Sequence, residues 1–412
     1  MAQAIAALVL RPGATMVPAP HGGDAQGARL ALPEGLRCVV REFGADQEDA
    51  IDRCIVVEPQ APPLLSELRE GDIVVAVRAT EVVWTDTVMA TGQYQHQPHL
   101  PYTPGGTYSG VVAWASERAR AAGISEGRRV LISGNAGPRS SGKHQRWGGC
   151  ASYAVAPYQA VRPMPEAWSF EEAAAFTYGY DTSHYVLVEA GKLQPGETIL
   201  IQGASGGVGI PAVKMAKMLG CTVIAVTRSK QKMEFLKSLG ADHVVHVGAE
   251  DGSVRSFSKD IKALTQGGLG VDAVYDGVGG DAITVESMRC CRFGARLLIV
   301  GWAATPNVAK GRGQRGAPNA NRIPTNLIMM KGLRVIGCPA VISTSFDRTI
   351  IPRRLKDLHE WAESGRLPPP SIASTFPLTE VKEALRSRMR SGEEVGSTIV
   401  RPPELNLAGS KL

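Results

Sequence analysis

Residues 198–245 read TILIQGASGGVGIPAVKMAKMLGCTVIAVTRSKQKMEFLKSLGADHVV. A short apolar run enters a glycine-rich turn, Gly203 to Gly209, a helical pattern follows, and a second β-branched run ends in polar and basic residues. That order is a βαβ unit opening on a dinucleotide-binding turn. The free amides that begin the helix, and the positive end of its dipole, suit a pyrophosphate. Ala204 holds the first position of the usual G-x-G-x-x-G pattern, but Gly206 still permits close backbone approach and Gly209 close helix–strand packing. The bland alternative is a plain strand-to-helix turn, which has no use for the basic strand end that follows.

That strand end selects the ligand. An acidic residue there would hold a ribose 2′-hydroxyl; this chain has Thr227-Arg228-Ser229-Lys230, with Lys232 beyond. Hydroxyls and cations suit a 2′-phosphate, so the expected cofactor is NADPH. Ser205, Gly206, Gly207, Val208 and Gly209 are expected around the pyrophosphate, and Thr227, Arg228, Ser229 and Lys232 around the 2′-phosphate. Lys232 has a second reading as a solvated helix residue. Val278, Gly279, Gly301 and Trp302 follow strands at their C-terminal ends, where ligands sit in such folds.

The 412 residues exceed one usual domain and fit two. A net charge of +6, spread along the chain, shows no stripe for nucleic acid and nothing that resembles a membrane-surface helix. No apolar run approaches the roughly 18 to 20 residues of a membrane span. Seven scattered cysteines indicate reduced thiols. The last residues, Ser410-Lys411-Leu412, are a peroxisomal address, so an import receptor is an expected partner and a peroxisome or related microbody the expected location, with the cytoplasm as fallback. Residues 1–35 are Ala-, Gly- and Pro-rich and read as a mobile or loosely docked extension, with a transit peptide the other reading.

Short strand runs with dense Gly and Pro fill residues 36–170: LRCVVREFG and IDRCIVVEP as an antiparallel pair, then DIVVAVRATEVV, VVAWA and RRVLIS. Ser169 and Glu172 have capping-box spacing at the head of a helix. Through 171–342 strand and helix alternate, and six nearly all-apolar strands predict a doubly wound parallel sheet. A basic amphipathic helix, a strand, a helix and a last strand, within 343–405, are expected to return to the first domain, leaving 406–412 as a tail.

The runs WTD-x5-GQY (Trp84 to Tyr94), LPYTPGGTYSG, WGGCASYAV, YDTSHYVL, GASGGVG, FLKSLGAD, VDAVYDGVGG, LLIVGWA and IPTNLIMMKGLRVIG together resemble the medium-chain dehydrogenase/reductase superfamily. The closest branch is the zinc-free quinone oxidoreductase, prostaglandin reductase and enoyl reductase group. The resemblance implies an α/β protein, a Rossmann sheet plus a β-rich GroES-like catalytic domain, and a homodimer joined through the edge strand LRVIGC. Where zinc members carry ligands this chain has Val83, Gly106 and Thr107, so no metal is expected. Zinc-free relatives usually keep an asparagine and a glutamate at Val83 and Thr107, so the first-domain side of the site is atypical.

Such an enzyme transfers hydride to a quinone or an α,β-unsaturated carbonyl, and needs donors for a developing enolate and a proton source. Tyr94 matches the family's proposed proton donor; a lid or packing aromatic is its other reading. Trp84, Tyr180 and Trp302 are expected to wall the pocket, His184 to approach the nicotinamide, and Asn326 of the IPTN segment to face the cofactor. The insertions Asn135–Trp147 and Ala303–Arg322 read as flexible and basic, either steering an anionic acyl-CoA or as plain surface loops. The rival readings are a trans-2-enoyl-CoA reductase and an NADPH-binding sensor or structural protein with little turnover.

Overall fold

The computed structural model describes residues 27–94, 97–133, 136–140, 142–301, 321–389 and 395–407. Trp302, nearly all of the second basic insertion, the first 26 residues and Ser410-Lys411-Leu412 lie outside the described residues.

The first pair of strands, β1 (Gly35–Val40) and β2 (Ile55–Gln60), is antiparallel in full register. A seven-stranded sheet is built around the long apolar strand β3 (Asp72–Val82). Its other members are β4 (Thr107–Ala115), β5 (Arg129–Ile132), β6 (Tyr153–Pro157) and β7 (Val161–Arg162), with the late strands β14 (Ile372–Pro377) and β15 (Ser397–Arg401) completing it through a β15–β3 pairing.

Between them run six parallel strands: β8 (Thr198–Ile201), β9 (Thr222–Thr227), β10 (His243–His246), β11 (Val271–Asp276), β12 (Cys291–Ile299) and β13 (Arg334–Gly337). They lie in the order β10-β9-β8-β11-β12-β13, so the chain reverses direction across the sheet between β8 and β11. One face packs on the helices Phe170–His184 and Gly209–Met218; the other packs on Ser258–Ala263, Asp281–Cys290 and Thr325–Lys331. This is the doubly wound arrangement that the all-apolar strands predict: with helices on both faces, neither side of a strand meets water.

The capping box forms. The Ser169 hydroxyl accepts the Glu172 N–H at 3.1 Å, and the Glu172 carboxylate accepts the Ser169 N–H at 2.8 Å. The helix Ile350–Glu363 departs from expectation. Its Leu358 and Ala362 are buried with Ile199, Val223 and Tyr275 under the parallel sheet, so it does not join the β-rich layer. Its period-four apolar stripe has to meet an apolar face, and the parallel sheet offers one. All seven cysteines are buried and unpaired. Among the described residues no helix is long and apolar enough to cross a membrane.

Three charges clasp the layers together. Asp181, on the helix Phe170–His184, takes both guanidinium nitrogens of Arg162 on β7 at 2.9 and 2.8 Å and lies 3.4 Å from Arg354 on the helix Ile350–Glu363. Burial opposes its charge, but the two arginines hold the carboxyl below its ordinary range. Asp181→Asn leaves two arginines without their anion, and we expect a loss of roughly 3 kcal/mol of unfolding free energy at neutral pH. Because the folded-state pKa is depressed, that contribution is complete above the unfolded value of about 3.9 and disappears as pH falls through the folded one. Urea unfolding at pH 7 and near pH 3 checks both; a gap that does not narrow at the lower pH would contradict this account.

Candidate active site

The glycine turn after β8 is built by exclusion. A Cβ on Gly209 would stand 2.0 Å from the Gly203 carbonyl oxygen, and one on Gly179 of the neighbouring helix 2.4 Å from the carbonyl oxygen of Gly207. Gly203 itself has φ +64°, a conformation that favours glycine. The turn closes through Gly206 N–H to Gly203 C=O (2.9 Å) and Gly209 N–H to Gly206 C=O (3.0 Å). The ten-residue helix Gly209–Met218 that follows has no side-chain cap and no acid in its first turn. A backbone cradle with free amides and no competing anion fits a pyrophosphate.

The residues expected around it converge. Val278 lies against the turn, 3.1 Å from where a Cβ on Gly203 would stand, and Gly279 donates its N–H to Asp276 at 2.8 Å. Gly301 donates to the Asp276 carbonyl at 3.2 Å. Thus the ends of β8, β11 and β12 meet at the point where strand order reverses, the usual ligand crevice of such sheets. At the end of β9, Thr227 is buried and accepts the Ser229 N–H at 3.1 Å, while Arg228 is exposed. Lys232 is only 8 % exposed, which does not match a freely solvated residue. Burial, helped by Arg388, lowers its proton affinity.

Arg388 was not anticipated. It projects from the helix Val381–Met389, bonds the Gly396 carbonyl at 3.0 Å, and brings a guanidinium nitrogen 3.9 Å from the Cβ position of Gly207. In the sequence it is one of several basic residues in a short polar helix, and nothing marks it. Only the return of β15 to β3 places it over the turn.

The other wall of the cleft is organised by Arg139. Its guanidinium donates to Thr85 Oγ1 at 2.7 Å, lies over the Tyr178 ring at 4.7 Å and approaches Asp86 at 3.8 Å. Gly106 makes room for it: a Cβ there would already touch the guanidinium at 3.4 Å. Thr85 also hydrogen-bonds Tyr178, and Tyr94 acts electrostatically on both Arg139 and Tyr178, so the expected donor Tyr94 joins this cluster. Burial opposes the charge on Arg139, but Asp86, Tyr178, Tyr94 and Glu81 more than restore it. Burial raises the Tyr178 hydroxyl, with Arg139 pulling it back. Asp86 accepts the Val83 N–H at 2.9 Å and keeps its chain turn; burial pushes its carboxyl up against Arg139. Trp84, at the head of the same helix Trp84–Ala90, is 42 % exposed.

Several expected residues lie elsewhere. Tyr180 is buried, its ring 4.7 Å from Phe176 and its hydroxyl donating to the Pro368 carbonyl. On a helix, positions two apart do not share a face, so the tyrosine that meets the cleft is Tyr178. His184 is fully buried and bonded to Asp357 of the helix Ile350–Glu363 at 2.9 Å. Asn326 is exposed at the start of the helix Thr325–Lys331.

The described part of the first basic insertion is ordered and its arginines and lysine are paired. It forms the short helices Gly137–Arg139 and Gly142–Arg146, and its cations are taken: Lys143 by Asp72, which also bonds the His144 ring, Arg146 by Glu67, and Arg139 by the cleft. Paired cations carry little field at long range, which favours the surface-loop reading of this segment over steering.

Among the described residues no three His, Cys, Asp or Glu side chains converge as metal ligands. Residues 69–166 match the family model described as alcohol dehydrogenase GroES-like domain, and residues 207–350 the one described as zinc-binding dehydrogenase. A quinone oxidoreductase-like protein 2 homolog of Nematostella vectensis is 26 % identical over 357 residues, 84 % of this chain and 89 % of that protein. Human quinone oxidoreductase is 26 % identical over 332 residues, 81 % of this chain and 89 % of that protein. The solved quinone oxidoreductase of Thermus thermophilus, also studied as its complex with NADPH, superposes with TM-score 0.65 at 26 % identity, covering 89 % of this chain and 99 % of that one.

Proposed function

Because the chain belongs to the medium-chain dehydrogenase/reductase superfamily, in its zinc-free quinone oxidoreductase branch, we propose that it is an NADPH-dependent reductase of quinones or α,β-unsaturated carbonyls. One juxtaposition carries the reading. A cradle for a pyrophosphate, with Lys232 and Arg388 beside it and no acid at the end of β9, shares a cleft with the Arg139–Tyr178–Tyr94 cluster.

A bound dihydronicotinamide supplies the hydride. The chain's own residues do the rest. Ser205 to Gly209 would line the pyrophosphate, and Thr227, Arg228, Ser229 and Lys232 would hold the 2′-phosphate. Arg139, kept charged by Asp86, faces the acceptor's oxygen and stabilises negative charge there as it develops. Tyr94 donates a hydrogen bond to the same oxygen, and Trp84 covers the acceptor from the solvent side.

We further propose a homodimer through β13. This edge strand is exposed at Val335, and Phe293, Met329, Met330, Val341 and Phe346 stand exposed around it. An unpaired edge inside an apolar patch is a surface that a second copy covers. Analytical ultracentrifugation should give a dimer for the wild type and a monomer for Val335→Arg with Phe346→Glu; a monomeric wild type rejects the interface.

The direct test is oxidation of NADPH, with NADH as control, against 1,4-quinones, alkyl enones and trans-2-enoyl-CoA esters. We expect turnover with the first two, and a fall in kcat of about a hundredfold in Tyr94→Phe with KM nearly unchanged. Preference for the CoA esters would favour thioester reduction, and tight NADPH binding with no turnover of any acceptor would favour a sensor. Lys232→Ala should weaken NADPH binding roughly tenfold, about 1.4 kcal/mol, and leave NADH unaffected; equal losses for both cofactors would remove Lys232 from the 2′-phosphate.

A further inference from the structure

Glu81 is a buried carboxyl that the reading above leaves unused. It stands near the end of β3, in register with Thr107 on β4 and Ile399 on β15, and is 5 % exposed. Ser397 of β15 hydrogen-bonds its carboxyl, but Oε2 has no partner. A buried polar atom without a partner is costly, and natural structures keep few of them. Three further charged groups face it: Arg388 from the helix Val381–Met389, Arg139 from Gly137–Arg139 and Asp86 from Trp84–Ala90. Across the strand pairs its neighbours are the uncharged Thr107 and Ile399.

Burial pushes this carboxyl up to about 7, against the bond from Ser397 and the pull of Arg388 and Arg139. Its charge near neutrality therefore depends on how much cationic field reaches it. Arg388 is the larger cationic contribution, and the same guanidinium lies over Gly207 in the phosphate cradle. An anion bound in that cradle offsets Arg388, and a weaker positive field favours the neutral carboxyl.

We propose that Glu81 is a proton store coupled to cofactor binding: it takes up a proton as dinucleotide phosphates settle beside Arg388, and yields it when an acceptor is reduced. The proposal rests on the reductase reading. Reduction of an enone or quinone adds one hydride and one proton. The dinucleotide brings the hydride with both electrons. The proton comes from Glu81: its O–H bond breaks, the electron pair stays on the carboxylate beside Arg139, and the proton passes through the cleft hydroxyls to the acceptor. Glu81 is neither oxidised nor reduced, and the next proton comes from solvent with the next dinucleotide. It acts through the cleft groups and is a positioning residue in that sense.

Calorimetric titration of the full-length protein with NADPH, at pH 7.5 in buffers of different ionisation enthalpy, reads the proton directly. The wild type should take up a few tenths of a proton per site, and Glu81→Gln should bind NADPH without that uptake. In steady state, kcat of the wild type should fall as pH rises through the carboxyl's range; Glu81→Gln should be slower with a flatter profile, and Glu81→Asp should restore part of the slope. Equal uptake in Glu81→Gln overturns the proposal and assigns the proton to Lys232, the other cleft group whose proton affinity a phosphate raises. No uptake by a wild type that binds and oxidises NADPH overturns it while leaving the reductase reading intact; no binding of NADPH at all strikes that reading first. If Glu81→Gln does not fold, infrared difference spectra of the wild type decide: a carboxylic-acid band that grows on NADPH addition supports the store, and an unchanged band rejects it.

Discussion

The helix Phe170–His184 can lie against the phosphate turn only because Gly179 has no side chain; a Cβ there would stand 2.4 Å from the Gly207 carbonyl oxygen. The contact fixes the distance between the two halves of the cleft. It is reinforced on both sides: Ser183 donates to the Val208 carbonyl at 3.0 Å, and Tyr275, rising from β11, reaches the same oxygen at 3.5 Å. Tyr178, one residue before Gly179, then faces Arg139. The helix is capped at Ser169 and clasped at Asp181, so Gly179, which meets the turn, and Tyr178, which meets Arg139, belong to one braced helix. Holding reacting groups within a fraction of an ångström is what such rigidity contributes to a hydride transfer.

The fold was legible because its signals are periodic. Six apolar strands separated by helical runs admit few arrangements, and in the turn Gly209 is required by a contact of 2.0 Å and Gly203 favoured by its positive φ. The Rossmann half of the site follows directly, since strand ends and turn residues are adjacent in sequence. The acceptor half was less legible. Arg139, Arg388 and Glu81 come from an insertion, a C-terminal helix and a strand, and only long-range pairing brings them together. The sequence did hold one unread signal. Ala173, Phe176, Tyr180 and His184 recur at three- and four-residue spacing and mark the buried stripe of their helix, and Tyr178 falls outside it. A glutamate inside the apolar run DIVVAVRATEVV was a second one.

Basic residues make the same point about charge. Counted in sequence, the segment 136–147 is a cationic loop; in the folded chain its positive groups meet Asp72, Glu67 and Asp86. What remains effective is charge held at short range inside the cleft, where the local dielectric is low and a single guanidinium does more than several solvated lysines. Arg388 lies over the glycine turn and Arg139 over the Tyr178 ring, and Glu81 lies within the field of both.

Gly106 and Thr107 stand where zinc members carry ligands, and Thr107 also departs from the glutamate that zinc-free relatives usually keep. Their surroundings give them a different meaning. The guanidinium of Arg139 occupies the space that a larger residue at 106 would fill, with its nearest atoms 3.4 Å from the Cβ position. Directly across the strand pair from Thr107 stands Glu81. A carboxylate on both strands, facing each other at the separation of paired residues, would repel. A small neutral residue at 107 therefore permits a carboxyl at 81, and a glycine at 106 permits a cation above it. The two small residues thus act together: charge at this end of the sheet is carried by Arg139 and Glu81, and the strand facing them is kept small and neutral to admit them.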